Sequence, residues 1–385
     1  MLFLVTRFPY PPRRGDQVRA YHHLVHLARR HEITLCVVGR RPSPDDLTAV
    51  TRLGISVDVI ANEPAVAGLR MVQGAWDRRP IQALWSGSPR ARSRVRALAA
   101  EADVVHAQLV RTGPLFEGLE VPVVLDMVDA LSMNLGRRSD RDRGPRRWAS
   151  AIEARRLGSY ERSLAGRVAA VAVSTADDAS AIGEPSVEVV PNGVDLVAFP
   201  FHSHPRPEPV VVFAGNLGYF PNVDAARTLA RDIMPAIRNR MPAARLVLAG
   251  ARPSRTVRHL QGTGVELITG PDDLAPVVGA AAVAVVPMRA GTGIQNKVLE
   301  AMAVGTPVVT TARVAAAVGA VHGEHLLIAD GVDEFAAAAA SLMTDPRGAA
   351  GIAASARRFV EERYRWEASA AAIERLWRSA RGNEV

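Results

Sequence analysis

Short apolar segments alternate with longer amphipathic segments along the chain. The alternation begins with the apolar segment Met1–Arg7, continues with the amphipathic stretch Gln17–Arg30, and returns to an apolar segment at Ile33–Val38. This order is typical of βαβ units, in which helices join parallel strands. The pattern therefore predicts an α/β protein built on parallel sheets.

The same alternation predicts the remaining strands and a division into two domains. The further strands are expected at Val57–Ile60, Val104–His106, Val121–Asp126, Val168–Val173, Val210–Gly215, Arg245–Ala249, Val265–Ile268, Val283–Val286 and Pro307–Thr310. The pattern resets around Val187–Pro209, where a strand runs into a turn and a proline-containing linker. A chain of 385 residues is too long for one ordinary core. We therefore expect domains at 1–185 and 186–365, and a last amphipathic helix, Trp366–Ala380, within 366–385.

Composition and charge narrow the classes of ligand. The net charge is +8, and Lys297 is the single lysine among 47 basic residues. A basic surface attracts phosphorylated ligands or anionic lipid, although solvated helix faces explain the same balance. Only 5% of the residues are aromatic. No nucleic-acid partner is therefore expected, because a platform of stacking rings is missing.

The termini, the cysteine content and one basic segment bear on the compartment. The single cysteine, Cys36, excludes an internal disulfide and a cysteine metal cluster, and we expect it in the core. The chain starts without a signal-peptide pattern and contains no run of 18 apolar residues. These features predict a cytoplasmic protein. The basic segment Arg137–Arg147 is expected to be a mobile loop or a helix lead-in. It is either a solvated face or a contact with a substrate or with the inner face of the membrane.

The strongest candidate for chemistry is the segment Pro287–Val309, which is strand, glycine-rich loop, helix, glycine turn and strand. Gly291 and Gly293 allow the backbone to approach an anion closely, and the following helix offers free N–H groups there. Arg289 and Lys297 can add charge-assisted hydrogen bonds to phosphate oxygens. The loop also includes Thr292 and Ile294.

Glu300 lies three residues beyond Lys297, so both side chains occupy one face of the same predicted helix. A carboxylate at this position can accept hydrogen bonds from both hydroxyls of a ribose. The segment as a whole therefore predicts a site for a nucleotide-linked ligand; a glycine turn with surface charges is the alternative.

Other candidate residues follow predicted strands, because ligands of doubly wound sheets bind at the carboxyl ends of the strands. Asp126 and Asp129 could orient a hydroxyl group of a substrate, or they could be a helix cap and a surface acid. Gly15 precedes a helix, between Arg14 and Asp16, and Asp16 could simply cap that helix. His106 ends a further strand, and structural and catalytic roles both remain open.

Several of these segments resemble glycosyltransferase family 4, of the group 1 type. Lys297–Val309, with the sequence KVLEAMAVGTPVV, resembles the donor-site segment of that family. Pro191–Asp195 is similar to its turn at the domain junction, and Val212–Asn222 resembles the opening of its second domain. The resemblance covers nearly the whole chain and is strongest over residues 187–330.

The resemblance implies a GT-B fold, in which two Rossmann-like doubly wound domains face each other across a cleft. It implies transfer of a sugar from a nucleoside diphosphate sugar, such as a UDP-sugar, to an acceptor hydroxyl with retention of anomeric configuration and without a required metal or other cofactor. The acceptor is expected to be a natural product or a lipid-linked or cell-surface glycan. The last helix of the family crosses back to the first domain.

The expected site residues follow from the motifs and the resemblance together. We expect catalysis by Asp126, Asp129, Arg289 and Lys297. Donor binding is assigned to Gly15, Gly215, Asn216, Thr269, Gly291, Thr292, Gly293, Ile294, Lys297 and Glu300. Thr269 belongs to the loop Ile268–Asp272, which passes the nucleobase in the family. Acceptor binding is assigned to Arg14, Asp16 and His106.

Two departures from the family pattern leave other classes open. Thr292 stands where many members have the first glutamate of a Glu-x7-Glu pair, and Asn216 and Asn222 stand in a stretch that usually carries cations. Arg252 could supply one of these charges. A non-catalytic partner subunit is therefore an alternative. A sugar-nucleotide 2-epimerase would need several acid–base side chains, which we do not find, and a phosphorylase would need Lys297 for pyridoxal phosphate.

Overall fold

The computed structural model describes residues 1–62, 68, 79–140, 144–203, 206, 208–271 and 273–382. The chain divides into two compact units. The first comprises Met1–Pro191 together with Trp366–Val385, and the second comprises Asn192–Arg365.

Each unit contains one parallel sheet. The strands of the first sheet are β1 (Leu2–Val5), β2 (Thr34–Gly39), β3 (Ser56–Ala61), β4 (Val105–Gln108), β5 (Val123–Val128), β6 (Ala170–Val173) and β7 (Val187–Val189). Those of the second sheet are β8 (Val210–Ala214), β9 (Arg245–Gly250), β10 (Val265–Thr269), β11 (Val283–Val286), β12 (Val308–Thr310) and β13 (Leu327–Ile328).

The helices connect these strands. They are α1 (Gly15–Leu27), α2 (Pro44–Thr51), α3 (Ile81–Ser86), α4 (Pro89–Ala99), α5 (Gly113–Phe116), α6 (Leu131–Ser139), α7 (Pro145–Ala165), α8 (Ala176–Ile182), α9 (Phe220–Thr228), α10 (Met234–Arg240), α11 (Arg255–Arg258), α12 (Ala275–Gly279), α13 (Asn296–Ala303), α14 (Ala312–Val318), α15 (Val332–Thr344), α16 (Pro346–Arg363) and α17 (Trp366–Ala380).

The strand orders are those of doubly wound Rossmann-like sheets, as the alternation of elements predicts. The first sheet has the order β3-β2-β1-β4-β5-β6-β7 and the second the order β10-β9-β8-β11-β12-β13. In such sheets the order in which successive strands are added reverses at one pair of neighbouring strands, and the crevice at the carboxyl ends of that pair binds ligands. These switch points are β1/β4 in the first unit and β8/β11 in the second.

The central strands are buried on both faces, which explains why their sequences are continuous apolar runs. All four residues of β1 are buried, and so are all four residues of β11. Cys36 lies in β2 as a buried free thiol, as expected. Burial raises the pKa of this thiol to about 12, so Cys36 is an inert core residue.

The first sheet extends further along the chain than the sequence predicts. A domain boundary between residues 185 and 186 would place β7 in the second domain, but β7 pairs with β6 at the edge of the first sheet. Edge position explains the difference, because two of its three residues are exposed and the apolar signal is weak. The two-residue strand β13 is too short to be recognised from the sequence.

The last helix belongs to the first unit. Helix α17 has the predicted bounds, and its buried face includes Ala370, Ile373, Leu376 and Trp377. It packs against α1 and against β5 and β6. Across the described part of the chain, no helix combines the length and the apolar character that crossing a bilayer requires.

Candidate functional site

The glycine-rich loop follows β11 in the second unit and leads into α13. Gly291 and Gly293 have φ angles of 106° and 70°, which favour glycine over any residue with a side chain. Gln295 is the N-cap of α13, and its side chain makes no capping hydrogen bond. The first N–H groups of α13 therefore have no side-chain cap, as at an anion-binding helix terminus.

Lys297 lies at the β8/β11 switch point, against the end of β8. A Cβ atom on Gly215, whose φ is 144°, would come within 3.1 Å of Lys297 Cε. Lys297 Nζ lies 5.8 Å from the ring centroid of Phe213 and donates a hydrogen bond of 2.9 Å to Gln295 Oε1. Gly215 therefore leaves the space that the lysine stem occupies, and the loop orients its ammonium group.

Lys297 lies in the first turn of α13 and Glu300 three residues further on, and both side chains are partly buried. Burial lowers the pKa of Lys297 to about 8, and the nearby Glu300 carboxylate opposes this shift. Burial raises the pKa of Glu300 to about 7, and Lys297 opposes this shift. Charged groups that are partly removed from water are stabilised when the polar groups of a ligand take the place of the lost water molecules. The pair is therefore suited to a ligand with phosphate and hydroxyl groups.

Two neutral oxygens of the same region are buried without a hydrogen-bond partner among the described residues. They are Asn222 Oδ1 and Thr292 Oγ1, on side chains that are 5% and 8% exposed. Asn222 is fixed by its Nδ2 group, which donates to the carbonyl of Asn216 over 2.9 Å. An unpaired buried oxygen costs about 1–3 kcal/mol, which a hydrogen bond from a ligand hydroxyl would recover.

From the sequence, Thr292 is a predicted donor-binding residue, whereas Asn222 is only a departure from the family pattern. In the structure each has an unpaired oxygen that can accept a hydrogen bond. For Asn222 the available signal was its position in the first turn of α9, the helix that follows β8.

Arg289 is directed towards α9 rather than along α13. Its Nη2 atom donates to Thr228 Oγ1 over 2.6 Å and lies 3.8 Å from Asp224 Oδ2. Its side chain remains about half exposed. The predicted contact between Arg289 and a phosphate stays a prediction, and Lys297 is the cation that the structure places beside the start of α13.

The other predicted donor residues lie at strand ends of the second unit. Asn216 follows β8, and its Oδ1 atom accepts from the N–H of Gly218 over 3.1 Å. Thr269 ends β10 and is exposed, whereas Ile294 is buried in the loop. Arg252 follows β9, is exposed, and has a φ of 54°. Asp272, in the loop expected to pass the nucleobase, lies outside the described residues.

Asp126 is not a surface carboxylate. Strand β5 continues to Val128, two residues beyond the predicted end, so Asp126 lies inside the strand and its side chain is fully buried. Its Oδ2 atom accepts from Arg19 Nε over 2.6 Å, and its Oδ1 atom accepts from the N–H of Val128 over 3.1 Å. The predicted catalytic role of Asp126 is therefore wrong, because neither oxygen is open to a substrate.

His106 is also a structural residue. It lies within β4, is 1% exposed, and its Nδ1 atom accepts from Trp377 Nε1 over 3.1 Å. Burial lowers the pKa of His106 to about 4, and Asp126 opposes this shift. The neutral ring thus joins α17 to the sheet, and the predicted acceptor contact of His106 stays a prediction.

His23, His106 and Asp126 come close together beneath α1, although no sequence motif brings them together. One ligand-type atom from each lies within 4.8 Å of the others. The two ring nitrogens are 4.0 and 3.9 Å from Asp126 Oδ2, whereas tetrahedral zinc would hold such atoms about 3.4 Å apart. Arg19 already occupies the same oxygen. The arrangement fits an ion pair with flanking histidines, and does not fit a metal site.

Asp129 directly follows the end of β5 and is partly buried. Its Oδ1 atom accepts from Ser174 Oγ over 3.1 Å. The preceding residue, Val128, has a φ of 66°, which is an outlier for a β-branched residue and marks a strained strand end. Burial raises the pKa of Asp129 to about 7, with Asp178 adding to the shift and Ser174 opposing it. Such a carboxyl group is suited to proton transfer near neutral pH.

The start of α1 differs from a simple capped helix. The helix begins at Gly15 with Arg14 as its N-cap, and Arg14 makes no side-chain capping bond. Asp16 is not the cap; its carboxylate forms an ion pair with Arg7. Gly15 is exposed. The predicted contacts of Gly15 with the donor diphosphate, and of Arg14 and Asp16 with the acceptor, stay predictions.

Comparison with known proteins gives one family match. Residues 208–345, in the second unit, match the model of the family Glycosyl transferases group 1. A search of curated protein sequences finds no match.

Solved structures with similar folds cover almost the whole chain. The structure of HepE from Anabaena, in complex with UDP and glucose, has a TM-score of 0.70 at 16% identity and covers 97% of this chain and 98% of its own. The sucrose-phosphate synthase from Thermosynechococcus elongatus has a TM-score of 0.74 at 17% identity and covers 98% of both chains. WaaG, a glycosyltransferase involved in lipopolysaccharide biosynthesis, has a TM-score of 0.65 at 14% identity and covers 98% of this chain and 99% of its own.

These similarities establish the fold as GT-B, with two Rossmann-like parallel-sheet units, as the sequence predicts. Together with the family match in the second unit, they indicate a glycosyltransferase. Membership of glycosyltransferase family 4 stays a prediction.

Proposed function

We propose that this protein transfers a sugar from a nucleoside diphosphate sugar to an acceptor hydroxyl with retention of configuration. A UDP-sugar is the first donor to be tested. The observation that carries the proposal is the pairing of an uncapped helix terminus with Lys297 and Glu300 at the β8/β11 switch point. The glycine-rich loop and the cation match the diphosphate of such a donor, and the carboxylate matches its ribose.

Each residue of the second unit has a distinct role in this proposal. The N–H groups of α13 and the ammonium of Lys297 stabilise the negative charge that grows on the diphosphate as the glycosidic bond lengthens. Glu300 accepts hydrogen bonds from the ribose hydroxyls. The unpaired oxygens of Asn222 and Thr292 accept from hydroxyls of the donor.

In the first unit, Asp129 is the carboxyl group that we assign to the acceptor. With a pKa near neutrality it can orient an acceptor hydroxyl or take part in its deprotonation. The acceptor attacks the face from which the diphosphate leaves, and the departing phosphate accepts the proton. No step of this scheme uses a metal ion. The acceptor classes remain a natural product or a lipid-linked or cell-surface glycan.

The pH dependence of nucleotide binding provides a direct test of Lys297. Its folded-state pKa is lowered to about 8, so the ammonium form that binds phosphate is lost as the pH rises through this value. We expect the affinity for UDP to fall between pH 7 and pH 9. In Lys297→Arg, which stays charged over this range, the affinity should not fall with rising pH. Titration calorimetry of both proteins checks this. An equal decline in UDP affinity in both proteins would show that ionisation of Lys297 is not the cause.

We also propose that the start of α7 contacts an anionic membrane surface. Trp148 and Ile152 lie four residues apart on one face of α7 and are 73% and 49% exposed. Arg147 and Arg155 are exposed near them. Ile81 at the start of α3 lies next to α7, because its N–H donates to Glu153 Oε1 over 2.7 Å. Its exposed side chain adds to this apolar area. Apolar side chains among arginines are typical of helices that lie in a membrane interface.

Part of the basic segment Arg137–Arg147 forms the end of α6 and the start of α7, and residues 141–143 lie outside the described residues. We expect the protein to float with vesicles that contain phosphatidylglycerol, and not with vesicles of phosphatidylcholine alone. Trp148→Ser/Ile152→Ser should abolish flotation, whereas Val197→Ser, at a 91% exposed position of the second unit, should not. Equal flotation of all three proteins would contradict this assignment.

A further inference from the structure

Two arginines lie at the switch point of the first sheet, at the carboxyl ends of its strands. Arg7 follows β1, and Arg111 lies in the 3-10 turn Val110–Thr112 that follows β4. Strands β1 and β4 are neighbours in the sheet, so both arginines extend from the crevice where doubly wound sheets bind ligands. Neither residue was singled out by the sequence analysis.

Arg111 carries an unpaired buried donor. Its Nε atom is buried and has no hydrogen-bond partner among the described residues. The backbone that holds the side chain is well fixed, because the Arg111 carbonyl accepts a hydrogen bond from Ser86 Oγ. A charged group that is buried without a partner is costly. A ligand that accepts a hydrogen bond from this nitrogen would remove that cost.

The nearest carboxylate does not belong to Arg111 alone. Burial lowers the pKa of the Arg111 guanidinium; Asp16 opposes the shift, and Arg7 and Arg14 add to it. The Asp16 carboxylate is already ion-paired with Arg7. Arg111 therefore has no carboxylate of its own within the described part of the chain, and an anion suits it better than a neutral ligand.

The first turn of α1 adds backbone donors to the same place. Gln108 Nε2, at the end of β4, donates to the carbonyl of Asp16 over 3.0 Å. This bond ties the start of α1 to the end of the strand that leads to Arg111. Because α1 has 13 residues and no side-chain cap, its first N–H groups and its dipole favour an anion.

We propose that Arg111, Arg7, Arg14 and the first turn of α1 bind a phosphate group of the acceptor. This inference rests on the proposed function and deepens it, because it makes the acceptor a phosphorylated molecule rather than a neutral one. The fork of a guanidinium matches the geometry of phosphate oxygens. The unpaired Nε of Arg111 supplies one of the donors of such a fork.

The test is a calorimetric titration of the full chain, saturated with UDP, with inorganic phosphate at constant ionic strength. Phosphate should bind in the presence of UDP, and Arg111→Gln should weaken it at least tenfold. Arg111→Lys, which keeps the charge but loses the fork, should be intermediate. Arg90→Gln, at an exposed arginine of α4, is the matched control and should bind phosphate like the wild type. Glucose 6-phosphate should compete with phosphate, whereas glucose should not.

Unchanged phosphate affinity in Arg111→Gln would overturn the proposal. Competition between phosphate and UDP would also overturn it, because the basic edge would then belong to the diphosphate of the donor. If Arg111→Gln does not fold, Arg7→Gln should show the same loss. If UDP itself does not bind, the proposed function fails, yet the phosphate titration of the unliganded protein still decides whether this edge is an anion site.

Discussion

Lys297→Met is expected to reduce sugar transfer about 10²- to 10³-fold, the loss seen when one preorganised charge-stabilising donor is removed from an active site. Lys297 is the cation beside the uncapped start of α13, so its loss removes stabilisation where the leaving diphosphate develops charge. UDP affinity should fall about tenfold or more, because a charged hydrogen bond contributes about 1.5–3 kcal/mol. Methionine keeps the stem against Gly215 and over Phe213, so the packing is preserved.

Release of UDP from a UDP-sugar and calorimetric binding of UDP are the two measurements for this variant. Glu300→Gln should weaken UDP binding as well, because it replaces a carboxylate that accepts from two ribose hydroxyls. Arg347→Met, at an exposed position of α16, is the matched control for loss of a positive charge and should leave both quantities unchanged. Wild-type affinity for UDP in both Lys297→Met and Glu300→Gln would show that the donor site is wrongly placed.

Asp126→Asn is expected to lower the free energy of unfolding by about 3–5 kcal/mol, the cost of breaking a buried ion pair by removing one partner. Arg19 and Asp126 are fully buried, and Arg19 Nη1 also donates to the carbonyl of Val190 over 2.8 Å. The variant leaves the guanidinium charge buried without its carboxylate. Chemical denaturation measured on wild type and variant gives the difference.

The double variant Arg19→Met/Asp126→Leu should recover most of this loss, because well-packed apolar residues often replace a buried ion pair with little cost.

Asp129→Asn is the comparison at a neighbouring carboxylate. The raised pKa of Asp129 means that the folded state binds a proton between the unfolded value of 3.8 and about 7, so its ionisation reduces stability as the pH rises through this window. Asp129→Asn should therefore not destabilise the protein at neutral pH. A loss at Asp126 no larger than at Asp129 would contradict the structural role.

The sequence predicted the features that depend on local pattern. Alternating apolar runs gave most of the strands, and the two glycines with Lys297 and Glu300 gave the loop and helix at the β8/β11 switch point. Positions three residues apart on one helix share a face whatever surrounds them, so this part of the site could be recognised without the tertiary fold.

Features that depend on contacts distant in sequence could not be predicted. Asp126 and Asp129 looked alike as carboxylates at a strand end, and only the added length of β5 places Asp126 inside the strand and Asp129 just beyond its end. The ion pair of Asp126 crosses 107 residues to reach Arg19. The structural contact of His106 is with Trp377, which α17 brings back to the first unit. The surroundings of Arg111 depend on the first turn of α1, which a hydrogen bond from Gln108 ties to the end of β4.

The most direct test of the donor-site assignment is a calorimetric screen of the full chain against UDP, GDP, TDP and ADP, repeated with Lys297→Met and with Arg347→Met. We predict that one of these nucleotides, UDP first, binds the wild type and Arg347→Met equally and binds Lys297→Met at least tenfold more weakly. Absence of binding by all four nucleotides would contradict the glycosyltransferase proposal and favour a non-catalytic subunit with this fold.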